Sequence, residues 1–228
     1  MRIPNGFING TFLSEEKNRF LCTVEIDGAK ETCYIASSCR LDNFINLHNR
    51  PVLLKRTSGA NVSTSYTVYA VKHKKSYILL NTSLANKAVE NTIKSRRLSS
   101  IGKRSDIKKE HKISGYRADF FIPCSKTIIE VKSVITTEAT AVFPTVFSER
   151  SISQLALIEE LLSKGYKAQL IIVSLNPYVK EISIAQNTTF YESLSRCLAL
   201  GLKMDAFTCR LNDDGEVYIE KRLPLSWC

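Results

Sequence analysis

Two carboxylates and a lysine open the case for chemistry. Asp119 lies in the run Ala118-Asp119-Phe120-Phe121-Ile122, and Glu130 and Lys132 lie in Thr127-Ile128-Ile129-Glu130-Val131-Lys132. Both runs read as strands joined by the turn Pro123-Cys124-Ser125-Lys126. Side chains at i and i+2 of a strand share a face, so Glu130 and Lys132 point one way and Val131 points into the core. Antiparallel pairing through the short turn sets Asp119 beside Glu130. Two carboxylates converging on one point repel each other unless a cation lies between them. Hard oxygen ligands of this kind suit Mg2+ or Mn2+. A bound ion would polarise a phosphodiester, and Lys132 would position the attacking water and help deprotonate it.

An acid two residues before a lysine is a weak signal alone, because Glu15-Glu16-Lys17 and Asp106-Ile107-Lys108 satisfy it too. Those lie in polar surroundings. Glu130-Val131-Lys132 stands between Ile128-Ile129 and Val134-Ile135, and charge on so apolar a strand is costly unless paired or liganding. A plain Glu–Lys pair at a sheet edge is the alternative on these grounds.

The elements that must position these residues follow from periodicity. Before about Thr82, short alternating runs are broken by turn residues such as Asp27-Gly28, which predicts five or so strands and a small β-barrel. Barrels of that type often bind single strands. From Asn81 to Lys112 the chain turns polar and basic, with a short helix around Leu84–Ile93. Arg96, Arg97, Lys103, Arg104, Lys108, Lys109 and Lys112 crowd this stretch and form the expected phosphate-contact set, to which Arg40 is added as a nucleic-acid contact or, alternatively, the cap of a barrel turn. After Ile113 the pattern is α/β. A helix over Ser151–Ser163 carries Gln154 and stops at Gly165, and Ala168–Val173 is an apolar run suited to a buried parallel strand. A second helix over about Thr188–Leu200 ends at Gly201, and a hairpin turns through Asp213-Asp214-Gly215. The expected architecture is α/β (α+β overall), with a barrel over 1–82 and an α/β domain over 83–228.

Composition narrows the partner. Hydrophobic residues make up 44% and charged residues 24% of the 228, a globular balance that argues against disorder. The formal charge of +10 favours a polyanion, DNA being the usual one. No apolar run is long enough to span a membrane and the N-terminus lacks a signal core, so a cytoplasmic protein without membrane contact is expected. Seven irregularly spaced cysteines and three histidines fit neither a common zinc pattern nor a disulfide framework, which leaves carboxylates to hold any metal.

Arg117-Ala118-Asp119-Phe120 followed by Ile129-Glu130-Val131-Lys132-Ser133-Val134 resembles the core of the sugar fermentation stimulation protein family. So do Ala141-Val142-Phe143-Pro144, leading to Ser148-Glu149-Arg150, and the earlier Asn18-Arg19-Phe20-Leu21, Arg40-Leu41 and Leu84-Ala85-Asn86. The resemblance implies an OB-like β-barrel followed by a PD-(D/E)XK nuclease-like mixed sheet flanked by helices, in a DNA-binding protein. It makes Asp119 and Glu130 metal ligands, Lys132 the catalytic lysine and Glu110 either a further ligand or an acid that backs the ligands. Gln154, Glu149, Arg150 and Arg117 would support them. The chain departs from the family pattern at Cys39, Thr145 and Ser151, where glycine, aspartate and glycine are usual. Three functions follow as expectations: a Mg2+- or Mn2+-dependent nuclease, a DNA-binding regulator of sugar metabolism with an idle nuclease-like fold, or a small-molecule or carbohydrate binder using the barrel. The intact Asp119, Glu130 and Lys132 favour the first.

Overall fold

The computed structural model describes residues 3–18, 20–37, 40–57, 63–95 and 106–228. Strands β1 (Phe7–Glu15), β2 (Leu21–Ile26), β3 (Ala29–Ile35), β4 (Pro51–Arg56), β5 (Tyr66–His73) and β6 (Ser76–Leu79) form the first sheet, in the order β3-β2-β1-β4-β5-β6. A short parallel pairing of Tyr34 with Thr67 and of Ile35 with Val68 joins β3 to β5 and closes five strands into a barrel, with β6 appended. The closure removes the exposed edges of β3 and β5 over that stretch. The β2–β3 turn is Asp27-Gly28, both at positive φ, as a two-residue hairpin requires.

Gly10 sits in β1 where the barrel wall is tightest. A Cβ there would lie 2.6 Å from Cγ1 of Val24 and 3.0 Å from the backbone oxygen of Glu25. Valine is stiff at χ1 and cannot swing aside easily. Gly10→Ala is therefore expected to destabilise the fold by about 1–3 kcal/mol through overpacking, read as a lower urea midpoint. An unchanged midpoint would mean that the wall yields there.

The second part begins with helix α1 (Ser83–Lys94). Strands β7 (Lys108–Ile113), β8 (Tyr116–Ile122), β9 (Thr127–Val134), β11 (Lys167–Ser174), β13 (Lys203–Leu211) and β14 (Val217–Leu223) make a mixed sheet ordered β14-β13-β11-β9-β8-β7. The central three, β9, β11 and β13, run parallel, and the flanking pairs are antiparallel. β10 (Thr140–Phe143), β12 (Glu181–Ile184) and β15 (Leu225–Trp227) form a small parallel sheet. Helices α2 (Glu149–Ser163) and α3 (Thr189–Ala199) are the crossovers that parallel strands need. Among the described residues no helix is long and apolar enough to cross a membrane.

Alternation along the central strands builds two cores. Ile129 and Val131 of β9, Ile171 and Val173 of β11 and Phe207 and Cys209 of β13 join α1 and the barrel interior in one cluster. Ile128, Leu170, Ile172 and Ala206 face the other way, onto α2, α3 and the small sheet. Hydrogen bonds also tie the two parts together: the Leu79 N–H donates to the Leu175 carbonyl just after β11 at 3.0 Å, and the Asn5 N–H donates to the Asp213 carbonyl at 2.9 Å.

Three features differ from the sequence expectations. β1 and the small parallel sheet are additional to the expected elements. The basic stretch before the hairpin ends in an edge strand, β7, because Lys108–Lys112 pair with β8 while showing mostly exposed side chains. Helix α2 starts at Glu149 rather than Ser151, since the Ser148 hydroxyl accepts from the Ser151 N–H at 3.2 Å and caps it. The position of Glu130 and Lys132 agrees with the apolar run around them: β9 is flanked by β8 and β11, so they lie inside the sheet, and the sheet-edge alternative does not hold.

Candidate active site

The β8–β9 ladder pairs Ile122 with Thr127, Phe121 with Ile128 and Phe120 with Ile129. At the next level the two backbones no longer pair, and a side chain takes over: Oδ2 of Asp119 accepts from the Val131 N–H at 2.7 Å. Its Oδ1 accepts from the Asn86 side-chain amide of α1 at 2.9 Å. Asp119 is thus held from both sides, with each oxygen keeping acceptor capacity.

Glu130 is 5% exposed. Its Oε2 accepts from the Tyr116 hydroxyl, and its Oε1 lies 2.9 Å from the Lys132 ammonium. Lys132 also donates to Oε1 of Gln154 on α2, at 2.6 Å. An ammonium has three N–H groups, so one is left for a water or a phosphate oxygen. The i, i+2 geometry of the strand places Glu130 and Lys132 together, while Val131 turns to the opposite core.

These residues line an open cavity of about 590 Å³, walled by the barrel turn at Phe44, the start of α1, the β8–β9 strands and the Phe143–Ser151 loop. Burial first, and then the adjacent Glu130 charge, push the Asp119 carboxyl up to about 6, against the pull of its two donors and Lys132. Burial and the same carboxylate raise the Tyr116 phenol far above its ordinary range, so it stays a donor.

The remaining candidates separate. Glu110 and Arg117 both line the cavity and pair with each other at 2.8 Å. Glu110 stands at the register level of Asp119, between the Lys109–Phe120 and His111–Ala118 pairs, and adopts φ +48°. That left-handed conformation is strained for glutamate and marks a place where the surroundings override local preference. Arg150 lines the cavity as well, whereas Glu149 stands outside it in the first turn of α2, where its charge suits the helix N-terminus. Arg40 braces a turn of the barrel: it donates to the Lys17 carbonyl at 3.2 Å and lies 3.9 Å from Glu15. Lys108, Lys109 and Lys112 lie on β7, with Lys109 paired to Glu90 at 2.7 Å. Arg96, Arg97, Lys103 and Arg104 fall outside the described residues.

Asn86 and Tyr116 were missed as site residues. Nothing in their local spacing marks them, because they reach the carboxylates through tertiary packing. Tyr116→Phe is expected to leave one oxygen of a buried carboxylate without its donor. The cost is about 1–3 kcal/mol in a urea melt, and a change too small to resolve would remove the phenol from the account.

The donor set can be compared with the needs of a hard cation. Among the described residues no group of three or more His, Cys, Asp or Glu could hold a metal ion by itself. A pair of carboxylates suffices for Mg2+ or Mn2+, which keep several waters and share substrate phosphates. The crowded charge of Asp119 and Glu130 is what such an ion would relieve, so the residues fit.

A five-stranded barrel fused to a mixed sheet, with an acid and an acid-x-lysine strand meeting in one cavity, defines the class. The chain belongs to the sugar fermentation stimulation protein family. The family's "Sugar fermentation stimulation protein RE domain" matches residues 83–215, and its "SfsA N-terminal OB domain" matches residues 15–80. The chain is 26% identical over 213 residues to a sugar fermentation stimulation protein homolog of Desulfitobacterium hafniense, covering 90% of each. A homolog from Ruminiclostridium cellulolyticum is 27% identical over 222 residues, covering 94% of this chain and 95% of that one. Among solved structures, that of Pyrococcus furiosus SfsA in complex with Ca2+ matches with a TM-score of 0.86 at 23% identity. It covers 98% of this chain and 97% of its own, a likeness of fold.

Proposed function

We propose that this chain is a DNA-binding protein that hydrolyses phosphodiester bonds with Mg2+ or Mn2+, on a PD-(D/E)XK nuclease-like sheet. The observation that carries the reading is Lys132, whose ammonium is held 2.9 Å from Glu130 and 2.6 Å from Gln154 beside the Asp119 carboxylate, in a cavity open enough for a phosphodiester. A buried acid–lysine pair with no task is an expensive thing to keep in an interior strand.

Asp119 and Glu130 would hold the ion, with Glu110 able to join on release from Arg117. When bound, the ion supplies Lewis acidity and lowers the pKa of a ligated water. Lys132 presents its remaining N–H to the attacking water or to the scissile phosphate. Gln154 fixes the direction of that ammonium, and Asn86 and the Val131 N–H fix Asp119. Arg150 and Arg117 at the cavity wall bring positive charge to the flanking phosphates. The Ca2+ complex of the P. furiosus relative supports an oxygen-ligand site in this fold. The charge of +10 supports DNA as the polyanion, held mostly by phosphate contacts.

Purified protein incubated with single- and double-stranded DNA in Mg2+ or Mn2+ is expected to cleave, and chelator is expected to stop it. Affinity measured in chelator should fall by an order of magnitude or more between low and moderate salt. Salt-insensitive binding would overturn the phosphate-contact reading. Binding without any cleavage would replace the enzyme by a DNA-binding protein with an idle site.

A further inference from the structure

The barrel carries two large aromatic side chains in the open. Phe20 is 37% exposed and Tyr34 is 38% exposed. Their ring centroids lie 6.4 Å apart with planes 18° from parallel, a stacked pair formed by the residue just before β2 and an exposed residue of β3. Single exposed aromatics need no explanation, but a paired platform beside a candidate active site does.

Two short paths connect the pair to the cavity. Tyr34 precedes Ala36 by two residues, and the Ala36 carbonyl accepts from the N–H of Thr82, a cavity residue, at 3.1 Å. Phe20 follows the turn whose Lys17 carbonyl accepts from Arg40, and four residues after Arg40 comes Phe44, another cavity residue. An extended chain advances about 3.3 Å per residue, so along the first path the Tyr34 backbone lies roughly two nucleotide steps from Thr82 at the cavity rim. From the α2 side, Phe147 is 71% exposed between Val146 and Ser148, which both line the cavity.

The kind of occupant follows from ring chemistry and charge. In a duplex the base faces stack on one another, leaving edges and phosphates to a protein. Aromatic faces are useful only to unpaired bases. Arg40 and Lys17, both exposed beside the pair, supply charge for the backbone of such a strand. We infer that this chain takes single-stranded DNA, with unpaired bases stacked on Phe20 and Tyr34 and, beyond the cavity, on Phe147. The inference rests on the reading of the cavity as a phosphodiester site and names its substrate class.

The test is binding in chelator, so that cleavage plays no part. Fluorescence anisotropy would compare a labelled oligothymidylate, a duplex of equal length and a strand of equal length made largely of abasic sites. The expected result is single-strand binding about tenfold tighter than duplex binding, with the abasic strand bound as weakly as the duplex. Phe20→Ala/Tyr34→Ala should weaken single-strand binding about tenfold and leave duplex binding unchanged. Phe20→Tyr/Tyr34→Phe, which keeps both rings, should bind as wild type. Equal or tighter duplex binding would overturn the inference, as would abasic binding as tight as oligothymidylate or full affinity in the alanine variant. If the alanine variant fails to fold, the abasic comparison on the unaltered protein still decides. Tight, ring-dependent binding without cleavage in Mg2+ would sink the enzyme reading alone. Cleavage indifferent to the rings and to strandedness would sink this one alone.

Discussion

Lys132→Ala is expected to lower metal-dependent DNA cleavage by about 10²–10⁴-fold, the range for losing a positioned group that handles a proton or a developing charge. The ammonium lies between Glu130 and Gln154, within hydrogen-bond reach of both. Its removal takes away the donor to water or phosphate and also leaves Glu130, 5% exposed, facing Asp119 without compensation. The variant should therefore be less stable without metal as well as slow. Comparing rates at saturating Mn2+ separates the two effects, because a cation between the carboxylates restores the charge balance but not the lost N–H. Retained cleavage would identify a contaminant or place the chemistry elsewhere. Gln154→Ala acts only on the direction of the ammonium and should cost less than the lysine itself.

The second large effect concerns metal and pH together. Asp119 carries its proton up to about pH 6 in the folded chain, against an ordinary value of 3.8. Its folded pKa is raised, so between those values the folded state binds more protons than the unfolded one, and stability falls as pH rises through that window. The penalty is complete above about pH 6 and corresponds to about 3 kcal/mol. It is relieved as pH drops toward 4. A divalent cation should reverse the preference at high pH. At pH 8, Mn2+ at a hundredfold excess over its dissociation constant should add about 2.7 kcal/mol, a rise of roughly 5–10 °C in Tm. Below about pH 6 the ion must displace the Asp119 proton, and its apparent affinity should drop about tenfold per pH unit. Asp119→Asn should abolish the Mn2+-induced shift and flatten the acid window. Thermal melts across pH with and without Mn2+ measure both, and a metal shift that is equal at pH 5 and pH 8 would contradict the assignment.

Much of the candidate site was legible because it is local. A charged i, i+2 pair inside the apolar run Ile128–Ile135 stands out by periodicity, and the tight turn before it names the partner strand that carries Asp119. Helices α2 and α3 were equally plain, since Leu155, Ile158, Leu161 and Leu162 repeat at helical spacing and glycines follow both ends. What stayed hidden is non-local or unlike its class. β1 contains Gly10, which weakens a strand pattern, yet Gly10 is there because Val24 and Leu54 crowd the wall. β7 is an edge strand whose Lys108-Lys109-Glu110-His111-Lys112 pattern has almost no core face to betray it. β10, β12 and β15 span only 4, 4 and 3 residues, too few for an alternation to register. Asn86 and Tyr116 meet the carboxylates from 33 and 14 residues away in sequence, a closeness that only the fold creates.

The apolar cluster that runs from the barrel interior through α1 onto one face of the mixed sheet has an evolutionary consequence. Chains whose parts are joined by a loose tether can exchange one part for another. Here a foreign barrel would have to match the contours of Ile129, Val131, Ile171 and Val173 as well as those of α1. Asn86, which holds Asp119, rides on that same helix. The barrel and the carboxylate-bearing strands are thus bound to a common inheritance: a change in the packing of one is felt close to the carboxylates of the other, and recombination between distant relatives at the barrel boundary would be selected against.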